Sequence, residues 1–224
     1  MATVSASSTQ LPLANLRLVR QSMEDRTRLQ VTKKSTLAMG AALRYVVGEI
    51  VEGAAEAAVS DGKKKILPKH IGMAVIRDAD LSQLPDSFAA GKVEVSFSGE
   101  TSKARSTAVP SASNEKPAEK KRRASASAVT KYKSFIKRLL RSRGRSASLT
   151  DQALTVLALM ATAFIRETVT CADTLGREDG RKVLTADDIL SALALVLKGE
   201  LQQHAVAAAG EEATSPAPGA STHM

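Results

Sequence analysis

The chain has 224 residues, 43% hydrophobic and 25% charged, the balance of a folded globular protein. Lys and Arg total 32 against 23 Asp and Glu, a net charge of +9 that points to a polyanionic partner, nucleic acid or an anionic surface. The longest uncharged apolar run, Leu154 to Ile165, ends at Arg166, short of the ~20 residues a membrane span requires. The Ser/Thr-rich start also lacks the basic and apolar parts of a secretory signal, so the expectation is an intracellular protein with no membrane partner.

Residues 1–10 read as a tail, and 11–97 as a first folded unit. A short helix is predicted around Leu13 to Met23 and a long one from about Ser35 to Ser60. The turn Asp61-Gly62 follows, then a short helix opened by Pro68, whose missing N–H costs nothing in a first turn. Gly40, Gly48 and Gly53 interrupt the long helix at about 1 kcal/mol each against Ala, and close helix packing is the expected offset. Residues 98–128 are rich in Ser, Ala, Thr, Pro, Lys and Glu and poor in large apolar side chains, the composition of a basic linker that cannot form a core.

The second unit, 129–210, opens with a short basic amphipathic helix carrying Phe135, Ile136, Leu139 and Leu140. From Leu149 to Leu175 no Gly or Pro intervenes, and Leu154, Leu157, Ala161, Phe164, Ile165, Ala172 and Leu175 recur at helical spacing. Ser148, Thr150 and Asp151 are candidate caps. Thr185 with Asp188 makes a capping-box-like start for a third helix reaching Leu197; 211–224 read as a second tail. A helix of about 28 residues spans about 40 Å, too long for a small bundle without an equally long partner. The partner is in the same chain: DGKKKILPKHI, Asp61 to Ile71, repeats as DGRKVLTADDI, Asp179 to Ile189, so one short-long-short helical pattern occurs twice.

The side chains supply little for catalysis. The single cysteine, Cys171, lies on an apolar helical stretch and reads as a small packed hydrophobe. His70, His204 and His223 are scattered with no zinc or catalytic spacing, and His70 reads as a packed or capping residue. No metal, cofactor or enzymatic activity is expected. Aromatic residues are 3% with no Trp, a poor supply of stacking platforms for single strands, so binding falls to backbone charge contacts.

Two stretches resemble the nucleosomal core histones. Tyr45 to Leu84, YVVGEIVEGAAEAAVSDGKKKILPKHIGMAVIRDADLSQL, is similar without a gap to the second and third helices of histone 2A, including the Pro68-Lys69-His70 start and the acidic end after Arg77. Leu184 to Val206, LTADDILSALALVLKGELQQHAV, is similar to the third and C-terminal helices of histone 2B, with Gly199-Glu200-Leu201 and His204-Ala205-Val206 carrying the likeness. Lys120 to Arg123 stands where histone 2B is basic before its first helix. The resemblance implies an all-α chain of two tandem histone folds, paired head to tail as a pseudo-dimer. It further implies a structural chromatin protein that wraps double-stranded DNA without sequence specificity, together with a tetramer of the other two core histone types, viral or host. The fusion resembles the histone doublets of large DNA viruses, which implies chromatin of the nucleus or of a viral factory and virion. A regulatory module, a histone-fold subunit of a transcription complex, is the competing reading.

The resemblance also distributes roles. Lys63, Lys64 and Lys65 in one loop and Arg181 and Lys182 in its counterpart would meet phosphates, set by pairing beside Lys33-Lys34 and Arg143–Arg145 respectively. Arg17, Arg20, Lys137, Arg138 and Arg141 on the two first helices would form a central patch. Arg181 and Asp188 would form an ion pair fixing the loop, where the first copy has Lys63 and His70. Glu49, Glu52, Asp78, Asp80 and Glu200 match an acidic patch that takes arginines of chromatin factors, with Arg44, Ala79 and Ala208 departing from it. Phe88 to Phe97, with Gly91-Lys92-Val93, resembles a shortened docking extension. The basic run from Lys116 to Arg145 fits phosphate contact and nuclear import, and Arg122 to Ser125 resembles a basophilic kinase site.

Overall fold

The computed structural model describes residues 15–85, 132–144 and 147–214. Helix α1 (Leu16–Glu24) starts where the Asn15 side chain accepts the Arg17 amide at 3.1 Å, and buries Leu18, Val19 and Met23. A two-residue strand β1 (Gln30–Val31) leads into α2 (Lys33–Ser60). Strand β2 (Lys65–Ile66) then leads into α3 (Pro68–Arg77) and a 3-10 turn, Leu81–Gln83. The second copy runs α4 over 132–142, β3 (Ser148–Leu149), α5 (Asp151–Glu178), β4 (Val183–Leu184), α6 (Ala186–Val196) and α7 (Gly199–Thr214). Both long helices have 28 residues, about 42 Å each.

The two copies are joined by strand pairing as well as by packing. Parallel bridges set Val31 opposite Leu184 and Ile66 opposite Leu149, so β1 joins β4 and β2 joins β3 across the copies. Thr32 and Thr150 serve these junctions identically. Each hydroxyl caps its own long helix, accepting the amide of Ser35 (3.1 Å) or Ala153 (3.3 Å). Each also donates to a bridge carbonyl of the other copy, Leu184 at 3.2 Å or Ile66 at 3.1 Å.

One buried apolar cluster contains α1 residues Leu18, Val19 and Met23, Val46 and Ile50 of α2, Phe135 and Leu139 of α4, and Leu157 and Phe164 of α5. Burying such a side chain contributes roughly 1.5–3 kcal/mol, and here both copies supply each other's cover. By length and composition α5 could cross a bilayer. Its Leu154, Leu157, Phe164, Ile165 and Val169 are instead buried inside the protein, and Arg166 pairs with Glu167 midway at 3.2 Å; its hydrophobicity is that of a core helix.

The helix ends differ from the sequence expectations in instructive ways. α2 begins at Lys33 because Thr32, not a residue nearer Ser35, supplies the cap. The tail expected from 211 is helical to Thr214, because Leu201, Ala205, Ala209 and Ala213 form one buried stripe and α7 packs along α2. Gly40 and Gly53 are close-approach positions: an added Cβ would lie 3.0 Å from Leu16 Cδ2 and 3.1 Å from Ala74 Cβ.

Candidate nucleic-acid interface

At one end of the pseudo-dimer, the Gln30 amide donates to the Lys182 carbonyl at 2.9 Å and brings Arg181 and Lys182 beside the start of α2. Lys33 and Lys34 are exposed in the first turn there, which holds no acid of its own; Asp187 at the start of α6 lines the same hollow, and the free amides and dipole of the α2 turn add positive potential. At the other end, the Ser148 amide donates to the Lys64 carbonyl at 3.1 Å, setting exposed Lys63, Lys64 and Lys65 against the α4–β3 segment. This corrects the expected partnering of the loops. Lys33-Lys34 and Lys63–Lys65 flank the two ends of the same 28-residue helix, ~40 Å apart, and only head-to-tail crossing of two such helices brings a first loop to a second loop. The second end also differs in its helix start: Asp151 sits in the first turn of α5 and pairs with Lys133 at 3.0 Å.

The first helices of the two copies meet each other. Ser22 of α1 and Tyr132 of α4 share a hydroxyl–hydroxyl hydrogen bond of 3.2 Å, and burial pushes the Tyr132 phenol up to about 12. Arg17 and Arg20 on α1, and Lys137, Arg138 and Arg141 on α4, are all exposed. Arg20 is tethered to Glu24 one turn on, at 2.7 Å, with both side chains about half exposed, so a phosphate meets only weak competition for it. Arg145, Lys120 to Arg123, the 98–128 linker and Phe88 to Phe97 lie outside the described residues.

The second loop of each copy is held from below by a different device. Arg181 Nη1 lies 2.6 Å from Asp188 Oδ1, and Asp188 Oδ2 accepts from the Thr185 amide and hydroxyl, both at 2.8 Å. Asp188 is 4% exposed, so loop, cap and guanidinium form one charge-assisted unit. In the first copy His70, fully buried, accepts the Leu67 amide on Nδ1 at 3.1 Å, which leaves Nε2 as the donor to Asp61 Oδ2 at 3.2 Å. Lys69 also binds that carboxylate at 2.6 Å. Asp61 thus replaces Asp188 from the opposite end of the loop.

The acidic residues converge, and Asp78, Asp80, Glu49 and Glu52 each have a structural task. Asp78 Oδ1 accepts the amides of Asp80 (2.9 Å) and Leu81 (2.8 Å), and Asp80 Oδ2 accepts the Leu201 amide at the start of α7 (3.0 Å). The Tyr45 phenol is pushed up by burial and by Glu49, Glu200 and Asp78, and down by Arg143, which sets these charges on one face. Tyr45 also packs on His204, ring centroids 5.8 Å apart. Glu49 and Glu52 both bind Arg143. Arg143, expected among the DNA-facing loop residues, is directed to α2 because two carboxylates in a half-buried setting outcompete solvent for its guanidinium. Only three-dimensional contact reveals this; the sequence signal was Gly48, a helix-weakening residue beside Glu49.

Among the described residues no group of three His, Cys, Asp or Glu could hold a metal ion. No protein-family model matches the sequence. Histone H2A of Encephalitozoon cuniculi is 39% identical over 72 residues, 32% of this chain and 56% of that protein. Histone H2B of the same organism is 33% identical over 89 residues, 39% of this chain and 68% of that protein. The chain therefore spans a little over half of the first relative and two thirds of the second. The crystal structure of the histone from Methanopyrus kandleri superposes with a TM-score of 0.52 at 12% identity, covering 85% of this chain and 99% of that one, a likeness of fold. Two tandem histone folds, crossed through Thr32 and Thr150, and likeness to both H2A and H2B together show that this chain belongs to the histone family, as a fused H2A-like and H2B-like doublet.

Proposed function

We propose that the chain is a structural chromatin protein, not an enzyme, that binds and bends double-stranded DNA without reading its sequence and wraps it into nucleosome-like particles with a tetramer of the other two core histone types. The observation that carries this reading is that each cross-copy strand bridge gathers exposed cations: Lys33, Lys34, Arg181 and Lys182 at one end, Lys63, Lys64 and Lys65 at the other. With the α1–α4 surface, these give three contact zones for successive inward-facing minor grooves, spaced ~10.2 bp. Smooth bending of a 20–30 bp site costs on the order of 1–6 kcal/mol, so one doublet holds a short arc and further histones are needed to close a wrap. His204 and α7 would face the tetramer, viral or host, and the acidic face with Tyr45 at its centre would take arginine-bearing chromatin factors. The location that follows is chromatin of the nucleus or, on the resemblance of the fusion to viral histone doublets alone, of a viral factory and virion.

The test is binding of the full chain to several unrelated 30-bp duplexes over a range of salt. Affinity should be alike for all, and log affinity should fall linearly with log salt. Lys64→Ala should lower affinity equally for every duplex and flatten the slope by ~0.9, the loss of one phosphate contact. Arg143→Ala should leave the slope unchanged, since its guanidinium is held by Glu49 and Glu52. Preference for one duplex would instead favour the transcription-complex subunit.

A further inference from the structure

Arg143 lies at the end of α4, and its guanidinium crosses to the middle of α2 in the other copy. Nη1 and Nη2 each lie 3.2 Å from Glu49 Oε1, and Nη1 also meets the Glu52 carboxylate. The Arg143 side chain is 15% exposed against 35% for each glutamate side chain, so the arginine is the more deeply seated partner. Gly48 makes the room. A Cβ there would overlap Arg143 Nη2 and come within 2.9 Å of Cζ. Glycine at mid-helix costs about 1 kcal/mol against Ala, and what its missing side chain admits is a guanidinium. The site thus has three parts, a glycine slot, two carboxylates and a seated arginine, drawn from segments more than ninety residues apart in sequence.

We propose that Arg143 is an autoinhibitory occupant of this site: it fills the slot of Gly48, Glu49 and Glu52 as a partner's arginine would, and the acidic face accepts an external guanidinium there only after Arg143 leaves. An intramolecular ligand competes at high effective concentration, so the apparent affinity for an external arginine is reduced by the fraction of chains in which the slot is open. The inference rests on reading these carboxylates as an arginine-docking face, and the experiment separates the two.

The full chain is titrated, by NMR, with an acetylated and amidated Gly/Ser peptide carrying one central arginine. Arg143→Gln should bind at least about tenfold more tightly than the wild type, because the competitor is gone. Arg143→Lys, which keeps the charge but loses the planar fork, should fall between them and serves should the glutamine variant not fold. Adding Glu49→Gln and Glu52→Gln to either variant should abolish the gain. Equal binding by wild type and variants would overturn autoinhibition while leaving an arginine-docking face. No binding by any of them would overturn both, and a gain that survives loss of the two carboxylates would place the peptide elsewhere and overturn the proposal.

Discussion

Asp80 Oδ2 accepts a hydrogen bond from the backbone amide of Leu201, 121 residues away, at 3.0 Å. The H2A-like copy thereby supplies the N-terminal cap for the last helix of the H2B-like copy, at the end where the helix dipole favours a negative charge. Gly199 opens that helix at φ +64, and any Cβ there would collide with the Asp80 carboxylate. Asp80→Ala should destabilise the protein by about 1 kcal/mol, as loss of a helix cap does. Asp80→Asn, which keeps an acceptor, should cost less. Denaturant unfolding measures the loss, and hydrogen exchange should place it in the first turn of α7. Equal protection of that turn in wild type and Asp80→Ala would exclude the cap.

Two glycines with the same helical setting should respond oppositely to alanine. At Gly72 in α3 an added Cβ meets nothing within 4 Å, so Gly72→Ala should stabilise by roughly 0.5–1 kcal/mol through helix propensity. At Gly48 the same gain is offset by expulsion of Arg143 from its carboxylates, and the net change should be a loss. Melting curves of the two variants decide; stabilisation of both would mean that Arg143 is not seated as described.

Asp188 should be the costliest polar residue of the second loop. Asp188→Ala removes the acceptor of the Thr185 amide and hydroxyl and strands the Arg181 pair, about 2 kcal/mol for a cap plus a charged hydrogen bond. Arg181→Ala should cost under ~1 kcal/mol, its side chain being 43% exposed, yet should weaken DNA binding more. If unfolding measurements rank the two variants the other way, the loop is not held through Asp188.

Asp61 gives the first loop a signature in acid. Hydrogen bonds from Lys69 and His70 hold its carboxyl at about 2, below the ordinary 3.8. Because the folded value is the lower one, the unfolded chain takes up the proton first as pH falls. The contribution is complete above the ordinary value and is lost as pH drops from 3.8 towards 2. Asp61→Asn should flatten the dependence of unfolding free energy on pH within that window; an unchanged slope would rule out the Asp61 pairings.

What the sequence disclosed and what it hid divide by range. The short-long-short pattern, the Pro68 start and the Thr185 and Asp188 cap depend on residues within a few positions of one another, so they were legible. Asp80 on Leu201 and Arg143 on Glu49 join distant segments, and nothing local marks them. The partnering of the loops was misread for the same reason, since it depends on how two long helices cross. The length of α7 was hidden because Ala205, Ala209 and Ala213 look neutral until the glycine- and alanine-rich surface of α2 is set against them. Gly48 was visible as a cost, but not the guanidinium that fills it.

On the proposed function, this doublet holds an arc of DNA through its two bridged loops and wraps it only with further histones. Nuclease digestion of an unrelated-sequence DNA of about 150 bp, the length of a nucleosomal wrap, tests it most directly, with the doublet alone, a core tetramer alone and both together. The doublet alone should protect little, both together should protect a longer fragment than the tetramer alone, and that extra length should be lost when Lys63, Lys64, Arg181 and Lys182 are replaced by Ala. Protection unchanged by adding the doublet, or confined to one sequence, would contradict it.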